Sequence, residues 1–313
     1  MRKGMVDFTT GSIPRHLIMF AIPMFLGNLL QALYNTVDSI WVGRFLGHRA
    51  LAAVSVSGPI TFALIAMVMG LTMATTTMVA QYYGAQQQHM VRKTVTNSLV
   101  LLTVLGVLFS LVGYFLRIPI LNLVNAPADI MSDAAGYLGI YSLGLIGMFW
   151  YNAAGAIMRG LGDSRTPLRY LAYATVANII LDPLLIFGYG PIPKMGVAGA
   201  ALATIIAQGG SAVLALVHLE RVADLMHLEG DFWKLDGHLT AQTFKIGLPA
   251  GLQQTLVSLS GMVVSSIVNG FGSVAVAGFG AGQRIDQFSF MPSMSVGLAV
   301  SALVGQNMGA GKD

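Results

Sequence analysis

Long apolar stretches separated by short polar segments dominate the chain. A helix that crosses a lipid bilayer needs about 20 mostly apolar residues. Eight stretches reach that length, at 17–43, 51–80, 94–116, 132–157, 167–189, 196–218, 243–269 and 275–305. Each is far longer than the roughly 9–11 residues of a membrane-spanning β-strand. The pattern therefore predicts an all-α polytopic membrane protein.

Composition supports the same class. Of the 313 residues, 55% are hydrophobic and only 10% are charged, whereas about 25% are charged in an ordinary soluble domain. A soluble fold of this size would leave large apolar patches exposed, and disorder would need a more polar chain. The chain has no cysteine, which excludes disulfides, thiolate metal sites and cysteine nucleophiles.

Basic residues fall mainly on one side of the expected spans. Twelve Lys and Arg lie in the N-terminus and in the segments on its side, and four lie on the other. Because cytoplasmic segments carry the excess of Lys and Arg, we expect a cytoplasmic N-terminus. The basic residues are scattered between apolar runs rather than gathered in one stripe, so the net charge of +4 does not indicate nucleic-acid binding.

The sequence repeats itself at an offset of about 226 residues. Pro23 falls on Pro249, and the run QYYGA at 81–85 matches QNMGA at 306–310. The matching spans 1 and 7 are six apart, so they run in the same direction and the repeat is parallel. Parallel repeats with a central cavity between the halves are one of the designs of membrane transporters.

The repeat predicts three parts of the chain. Residues 1–218 form a six-helix N-terminal lobe, 219–242 a cytoplasmic linker, and 243–313 the first two helices of a second, parallel six-helix lobe. Phe232 and Trp233 indicate a short interfacial helix within the linker. We expect helices 9–12 of the second lobe to be missing, so that the chain is a fragment or a shortened relative.

Four ionisable residues fall inside the spans, where charge is costly and usually faces a cavity or a partner. Asp38 in span 1 and Asp182 in span 5 lie at similar depth, roughly 10 Å below the outer boundary at about 1.5 Å per helical residue. We therefore expect the two acids to share a cavity. Arg284 and Asp286 are two residues apart, so they do not share a helix face. The six histidines lie at span ends or in loops, which leaves carboxylates as the candidates for proton transfer.

Polar side chains accompany both acids. They recur at three- and four-residue spacings in span 1, and an Asn precedes the acid of span 5 by four residues, so each group follows one helix face. The residues are Gln31, Tyr34, Asn35, Asp38, Asn178 and Asp182. The alternative is an Asp that is hydrogen-bonded to neighbouring helices only for packing, and two acids at one depth disfavour it.

Two prolines lie inside the same spans. Pro183 directly follows Asp182 and cannot donate a hydrogen bond to the carbonyl of Ile179, and Pro23 has the same effect on Met19. We expect bent helices with two ways of packing, and cation uptake at Asp38 would favour one of them.

Two short motifs suggest other chemistry. The run GLGD at 160–163 fits the GxGD of intramembrane aspartyl proteases, but Asp163 falls in a basic loop rather than inside the bilayer. The run GAGK at 309–312 lacks the first Gly and the Ser/Thr of a phosphate-binding loop. Neither activity is favoured.

Five segments together resemble the multidrug and toxic compound extrusion (MATE) family, in particular its branch of DNA-damage-inducible-type bacterial proteins. They are FAIPM at 20–24, LYNTVD at 33–38, MRGLGDSRTP at 158–167, NIILDP at 178–183 and GVAGAALAT at 196–204. The resemblance covers essentially the whole chain. It implies a twelve-helix, two-lobe fold that functions as a transporter, not an enzyme.

The resemblance also implies a cation-coupled antiporter of the bacterial inner membrane, which exports small amphipathic, often cationic compounds by alternating access. Asp38, Asn178 and Asp182 would hold the coupling H⁺ or Na⁺, without another cofactor or a structural metal. Thr204 would join the substrate cavity, and protonation of Asp38 would accompany bending at Pro23. The alternative is a lipid-linked precursor flippase of the wider superfamily, whose cavity we expect to be lined with cations rather than acids.

Overall fold

The structure is a computed structural model that describes residues 6–223 and 234–312. That part of the chain forms ten α-helices, with two π-helical turns, Val42–Leu46 and Leu219–Ala223, that continue α1 and α8. The helices are α1 Ile13–Trp41, α2 His48–Gly84, α3 Gln88–Phe115, α4 Arg117–Leu123, α5 Met131–Leu143, α6 Leu145–Gly160, α7 Arg165–Phe187, α8 Val197–His218, α9 Gly237–Asn269 and α10 Ser273–Gly309.

These helices confirm the prediction of an all-α polytopic membrane protein. Among the described residues, six helices are long and apolar enough to cross a membrane singly: α1, α2, α3, α7, α8 and α10. The fourth predicted span is instead two helices, α5 and α6, which meet at a bend of 47°. A Cβ at Gly144 in this bend would overlap the side chain of Ile205, so the glycine lets α8 pack into the bend. α9 is as long as a span but is not among these six.

Short connections join the long helices, so successive spans alternate in direction. We call the end of the bundle at which α1 begins the N-terminal face, and the other end the opposite face. By this alternation α6 and α10 end at the N-terminal face. Phe8 hydrogen-bonds Gln306 there, which brings the N-terminal segment and α10 together.

One buried amide joins three parts of the chain at the N-terminal face. Gln306 is completely buried. Its Oε1 accepts a hydrogen bond from the backbone N–H of Phe8 at 3.0 Å, and its Nε2 donates to the carbonyl of Gly160 at 3.1 Å. The neighbouring Asn307 donates from Nδ2 to the carbonyl of Phe8 at 3.1 Å. These hydrogen bonds therefore hold together the N-terminal segment, the end of α6 and the end of α10.

Glycines bring α9 and α10 close to α2, α9 near the middle of α2 and α10 at its end on the N-terminal face. A Cβ at Gly70 would overlap the backbone of Gly247 on α9, and a Cβ at Gly84 would overlap the backbone of Gln306 on α10. Small residues allow helices to approach closely inside a membrane. Toward the opposite face both helices expose large apolar side chains, such as Leu256 and Ile285. Among the described residues, the close glycine contacts of the two helices therefore lie away from the opposite face.

Two sequence predictions about organisation concern the chain after α8. α9 begins at Gly237, inside the segment 219–242 that we predicted as a linker. The interfacial helix predicted at Phe232 and Trp233 lies outside the described residues. α9 and α10 pack mainly against α1 and α2, and the boundaries of the two lobes stay predictions.

Candidate functional site

A cavity of about 620 Å³ lies among α1, α2, α5, α6, α7 and α8, with Leu298 of α10 also at its wall. Six of the residues predicted from the sequence line it: Pro23, Gln31, Tyr34, Asn35, Asp38 and Thr204. The structure thus brings one polar face of α1 together with Thr204 of α8, although the two helices are far apart in the sequence. The α1 residues lie on one face of the helix because side chains three and four positions apart share a face.

The polar face of α1 has few partners of its own. Gln31 donates from Nε2 to Oδ1 of Asn35 at 3.2 Å. Tyr34 is only 4% exposed, and its hydroxyl, although beside Thr204, has no hydrogen bond of ordinary geometry within the described residues. Asp38 is half-buried, and its Oδ1 is buried without a hydrogen-bond partner in the described part of the chain.

Asp182 and Asn178 lie behind the surface of the cavity rather than in it. Both are completely buried on α7, and Nδ2 of Asn178 donates to Oδ1 of Asp182 at 3.1 Å. Asp182 is close enough to Asp38 and Tyr34 to interact with them electrostatically. Pro183 follows within the helix and is half-buried. The two acids are therefore neighbours, but of the two only Asp38 lines the cavity, and a site shared by both stays a prediction.

The acid pair has more acceptors than donors. Oδ1 of Asp38, Oδ1 of Asn178 and Oδ2 of Asp182 are all buried without a hydrogen-bond partner among residues 6–223 and 234–312. A buried carboxylate that is ionised and unpaired is costly, and a proton or a bound cation removes that cost. Carboxylate and amide oxygens are suitable ligands for a hard cation such as Na⁺. The arrangement can therefore take up either H⁺ or Na⁺.

Two tyrosines of α5 face the acids and were missed by the sequence analysis. Tyr137 and Tyr141 line the cavity, with their rings stacked at a centroid distance of 5.9 Å and an interplanar angle of 18°. Tyr137 is close enough to interact electrostatically with both Asp38 and Asp182. Their spacing of four residues in the fourth span places them on one helix face, and that pattern was a usable signal.

Arg159, which follows the fourth predicted span at 132–157, also lies at the cavity. It occupies the last turn of α6, where its guanidinium folds back against Gly155 and lines the cavity. Its Nε is buried and has no hydrogen-bond partner within the described ranges. The cavity therefore has a basic group near the N-terminal face and an acid, Asp38, toward the opposite face.

Asp163 has a structural position that accounts for its conspicuous sequence motif. Its Oδ1 accepts hydrogen bonds from the backbone N–H groups of Arg165 at 2.9 Å and Thr166 at 3.0 Å. Its Oδ2 accepts from the Thr166 hydroxyl at 2.6 Å. The carboxylate thus caps the start of α7, and both oxygens are in use. This is not the geometry of a protease aspartate that faces a second acid.

Of the two charged residues of the last span, Asp286 does not join this site. Asp286 is exposed on α10 and is not among the residues that line the cavity. The side chain of Arg284 lies outside the described residues.

Comparisons with known proteins give a consistent result. The family model described as MatE matches residues 23–184 and 249–313. The probable multidrug resistance protein YpnP of Bacillus subtilis (strain 168) is 36% identical over 309 residues, which cover 98% of this chain and 68% of that protein. A crystal structure of MATE in complex with MaL6 has a TM-score of 0.90 at 26% identity, with 99% of this chain and 68% of that one covered.

A structure described as the outward-facing conformation of a multidrug resistance MATE family transporter has a TM-score of 0.88 at 26% identity. The match covers 98% of this chain and 67% of that one. The chain thus spans about two thirds of the length of these relatives.

Proposed function

The chain belongs to the MatE family, whose members are membrane transporters and not enzymes, and from this premise we propose that it acts in cation-coupled multidrug efflux. It exports small amphipathic, often cationic compounds in exchange for H⁺ or Na⁺ across the bacterial inner membrane. The description of YpnP as a probable multidrug resistance protein supports this substrate class. The five resembling sequence segments support its assignment to the DNA-damage-inducible-type branch.

The observation that carries the proposal is the excess of acceptor oxygens between α1 and α7. Asp38, Asn178 and Asp182 each have a buried oxygen without a donor in the described part of the protein. A proton or Na⁺ provides the partner that these oxygens lack, so the free energy of the site depends on whether a cation is bound. Transport needs such a dependence, because a cation gradient drives export only if the cation binds one conformation of the protein more tightly than the other.

Pro23 links this site to the shape of α1. It lies inside the helix and lines the same cavity as Asp38. Because proline cannot donate to the carbonyl of Met19, α1 lacks one backbone hydrogen bond there and bends more easily. Binding of a cation at Asp38 changes how the opposite end of α1 packs, and the helix adjusts at Pro23. Pro183 gives α7 the same freedom beside Asp182.

The packing of α9 and α10 supports alternating access. Both helices contact α2 closely, α10 at its end on the N-terminal face, and expose apolar side chains toward the opposite face. With a cytoplasmic N-terminus, as the distribution of Lys and Arg favours, this packing closes the inner side. Residues 1–218 act as the first lobe, 219–242 as the linker, and 243–313 as the start of the second lobe, which helices 9–12 would complete.

A lipid-linked precursor flippase is the second candidate, and Arg159 is the observation in its favour. A flippase cavity needs cationic side chains for the phosphate groups of its substrate, and Arg159 lines this cavity. Asp38 lines the same cavity and would repel those phosphates, which is why we prefer export of amphipathic compounds.

Efflux from proteoliposomes that contain the purified chain tests the proposal. A pH or Na⁺ gradient is imposed, and the movement of a fluorescent lipophilic cation and of a fluorescent lipid phosphate is followed. We expect gradient-driven export of the cation, its loss in Asp38→Asn, and its retention in the control Asp286→Asn, which removes an exposed acid outside the cavity. Export that is unchanged in Asp38→Asn, or absent from the unmodified chain, would contradict the proposal. Movement of the lipid phosphate alone would favour the flippase.

A further inference from the structure

A second pocket, of about 840 Å³, lies at the N-terminal face beside α1 and α7. Five basic or titratable side chains line it together with one acid. They are Arg15, His16, Arg165, Arg169, His218 and Asp163. We call it the basic pocket. It is separate from the acid pair, which lies toward the opposite ends of the same two helices.

Two glycines with positive φ shape the basic pocket. Gly11, at φ +98°, turns the chain into α1, so that Arg15 and His16 fall in its first turn. Nε2 of His16 lies 2.8 Å from the carbonyl of Thr10 and fixes this turn. Gly162, at φ +84°, packs against the backbone of Val6 and precedes α7. An L-residue with a Cβ is strained at such a φ.

Within the described residues, no carboxylate pairs with the arginines of the basic pocket. Asp163 uses both carboxylate oxygens to cap α7. The guanidinium groups of Arg15, Arg165 and Arg169 make no hydrogen bond or ion pair within residues 6–223 and 234–312, and all three side chains are exposed. Arginine binds phosphate oxygens in a bidentate manner and holds them more specifically than a point charge does. The pocket therefore has the charge and the donors for a phosphate group.

Two exposed apolar stripes extend from the basic pocket along the helices. α1 and α7 pack against each other, and on each the apolar residues follow an arginine at spacings of four, three and four, which keeps them on one face. The stripes are Met19, Ile22 and Leu26 after Arg15, and Tyr173, Val176 and Ile180 after Arg169. A soluble phosphate would contact none of these side chains. The acyl chains of a lipid would cover both stripes while its phosphate occupies the pocket.

We infer that the basic pocket binds the phosphate of an anionic phospholipid, with the acyl chains of the lipid lying on the α1 and α7 stripes. Basic pockets between helices at the edge of the bilayer bind such headgroups. The inference does not depend on the transported compound or on the coupling ion, because none of these side chains belongs to the acid pair.

Lipid binding to the purified, delipidated chain tests the inference. Native mass spectrometry would follow titrations with dioleoylphosphatidylglycerol, dioleoylphosphatidylcholine and inorganic phosphate. We expect the phosphatidylglycerol to bind more tightly than the phosphatidylcholine, and millimolar inorganic phosphate not to displace it. Replacement of Arg15, Arg165 or Arg169 by Gln should weaken binding of the phosphatidylglycerol by about fivefold each. The control Arg44→Gln, at the opposite face, should leave it unchanged.

Three results would overturn the inference. Equal affinity for the two lipids would mean that the pocket does not select the anionic headgroup. Displacement of the lipid by inorganic phosphate would mean that the acyl chains contribute nothing. Unchanged binding in the triple Arg→Gln variant would place the lipid elsewhere. If the triple variant does not elute as a folded species, the single variants and Arg169→Lys, which keeps the charge and should keep most of the binding, decide the same question.

Discussion

Two sets of buried polar groups, one at each end of the helical bundle, differ in how their hydrogen bonds are satisfied. At the N-terminal face, the amide of Gln306 is completely buried and uses both its oxygen and its nitrogen in hydrogen bonds to backbone groups. Toward the opposite face, Asp38, Asn178 and Asp182 each keep a buried oxygen without a partner in the described part of the chain. The first arrangement holds helices together, whereas we propose that a cation completes the second.

The two sets of polar groups therefore have different roles: the first stabilises the fold, and we propose that the second binds the coupling cation. A fully hydrogen-bonded buried group restricts the protein to one arrangement, and an unsatisfied one raises its free energy until something binds. Substitutions at the Gln306 end should therefore change stability most, and substitutions at the acid pair should change transport most. The following predictions test that separation, from the largest expected effect to the smallest.

Asp182→Asn should abolish gradient-driven export and leave the protein folded. The amide keeps the shape of the side chain and its contact with Asn178, but it cannot take up a proton or balance a cation. Efflux from proteoliposomes and the thermal midpoint would be measured on the same preparation. An Asp182→Asn protein that is destabilised and still transports would reverse the roles of the two ends.

Gln306→Leu should lower the free energy of unfolding by about 2–4 kcal/mol, because it leaves the N–H of Phe8 and the carbonyl of Gly160 buried without partners. The thermal midpoint of the purified chain in detergent would measure the loss. Gln87→Leu, at an exposed position between α2 and α3, is the control and should change little. Equal midpoints for the two variants would show that the Gln306 hydrogen bonds do not hold this face together.

Gly84→Ala should destabilise the protein by about 1–3 kcal/mol, because the added Cβ overlaps the backbone of Gln306 and forces α2 and α10 apart. The matched control is Gly58→Ala in the same helix, where no atom lies within 4 Å of the new Cβ. That variant should gain about 0.5–1 kcal/mol from helix propensity. Effects of the same sign in both would mean that close approach at Gly84 does not matter.

Asp236 should give a small dependence of stability on pH. Its Oδ1 caps α9 by accepting from the backbone N–H groups of Leu239 and His238, and these hydrogen bonds, first that of Leu239, lower the pKa of Asp236 below its usual value of 3.8. A lowered pKa stabilises the folded chain above pH 3.8, and this stabilisation disappears as the pH falls toward the folded-state value.

Thermal midpoints at pH 3 and pH 6 would therefore differ less in Asp236→Asn than in the unmodified chain. The Asn still caps the helix but does not titrate. The same pH difference in both proteins would exclude Asp236 as its source.

The sequence predicted the all-helical fold well, and it led to the expectation that the two acids lie at one depth, because both inferences depend on local quantities. Apolar length sets the spans, and the fixed rise of a helix places Asp38 and Asp182 at one level. Rotation about the helix axis is set by tertiary packing, so the sequence could not tell that Asp182 would lie behind the cavity surface. The bend at Gly144 depends on its packing against Ile205, which is distant in the sequence. The position of Arg159 inside the cavity depends on its contact with Gly155, which the sequence alone does not reveal.

Arg159 and Asp38 at opposite ends of one cavity have a consequence for selectivity. Opposite charges at the two ends set up an electric field along the space between them, and this field draws any positive guest toward the Asp38 end regardless of its shape. Selection of cations by charge then does not require a cavity shape that fits one particular molecule. Replacing Arg159 by a neutral side chain would weaken that pull without altering a single contact near Asp38.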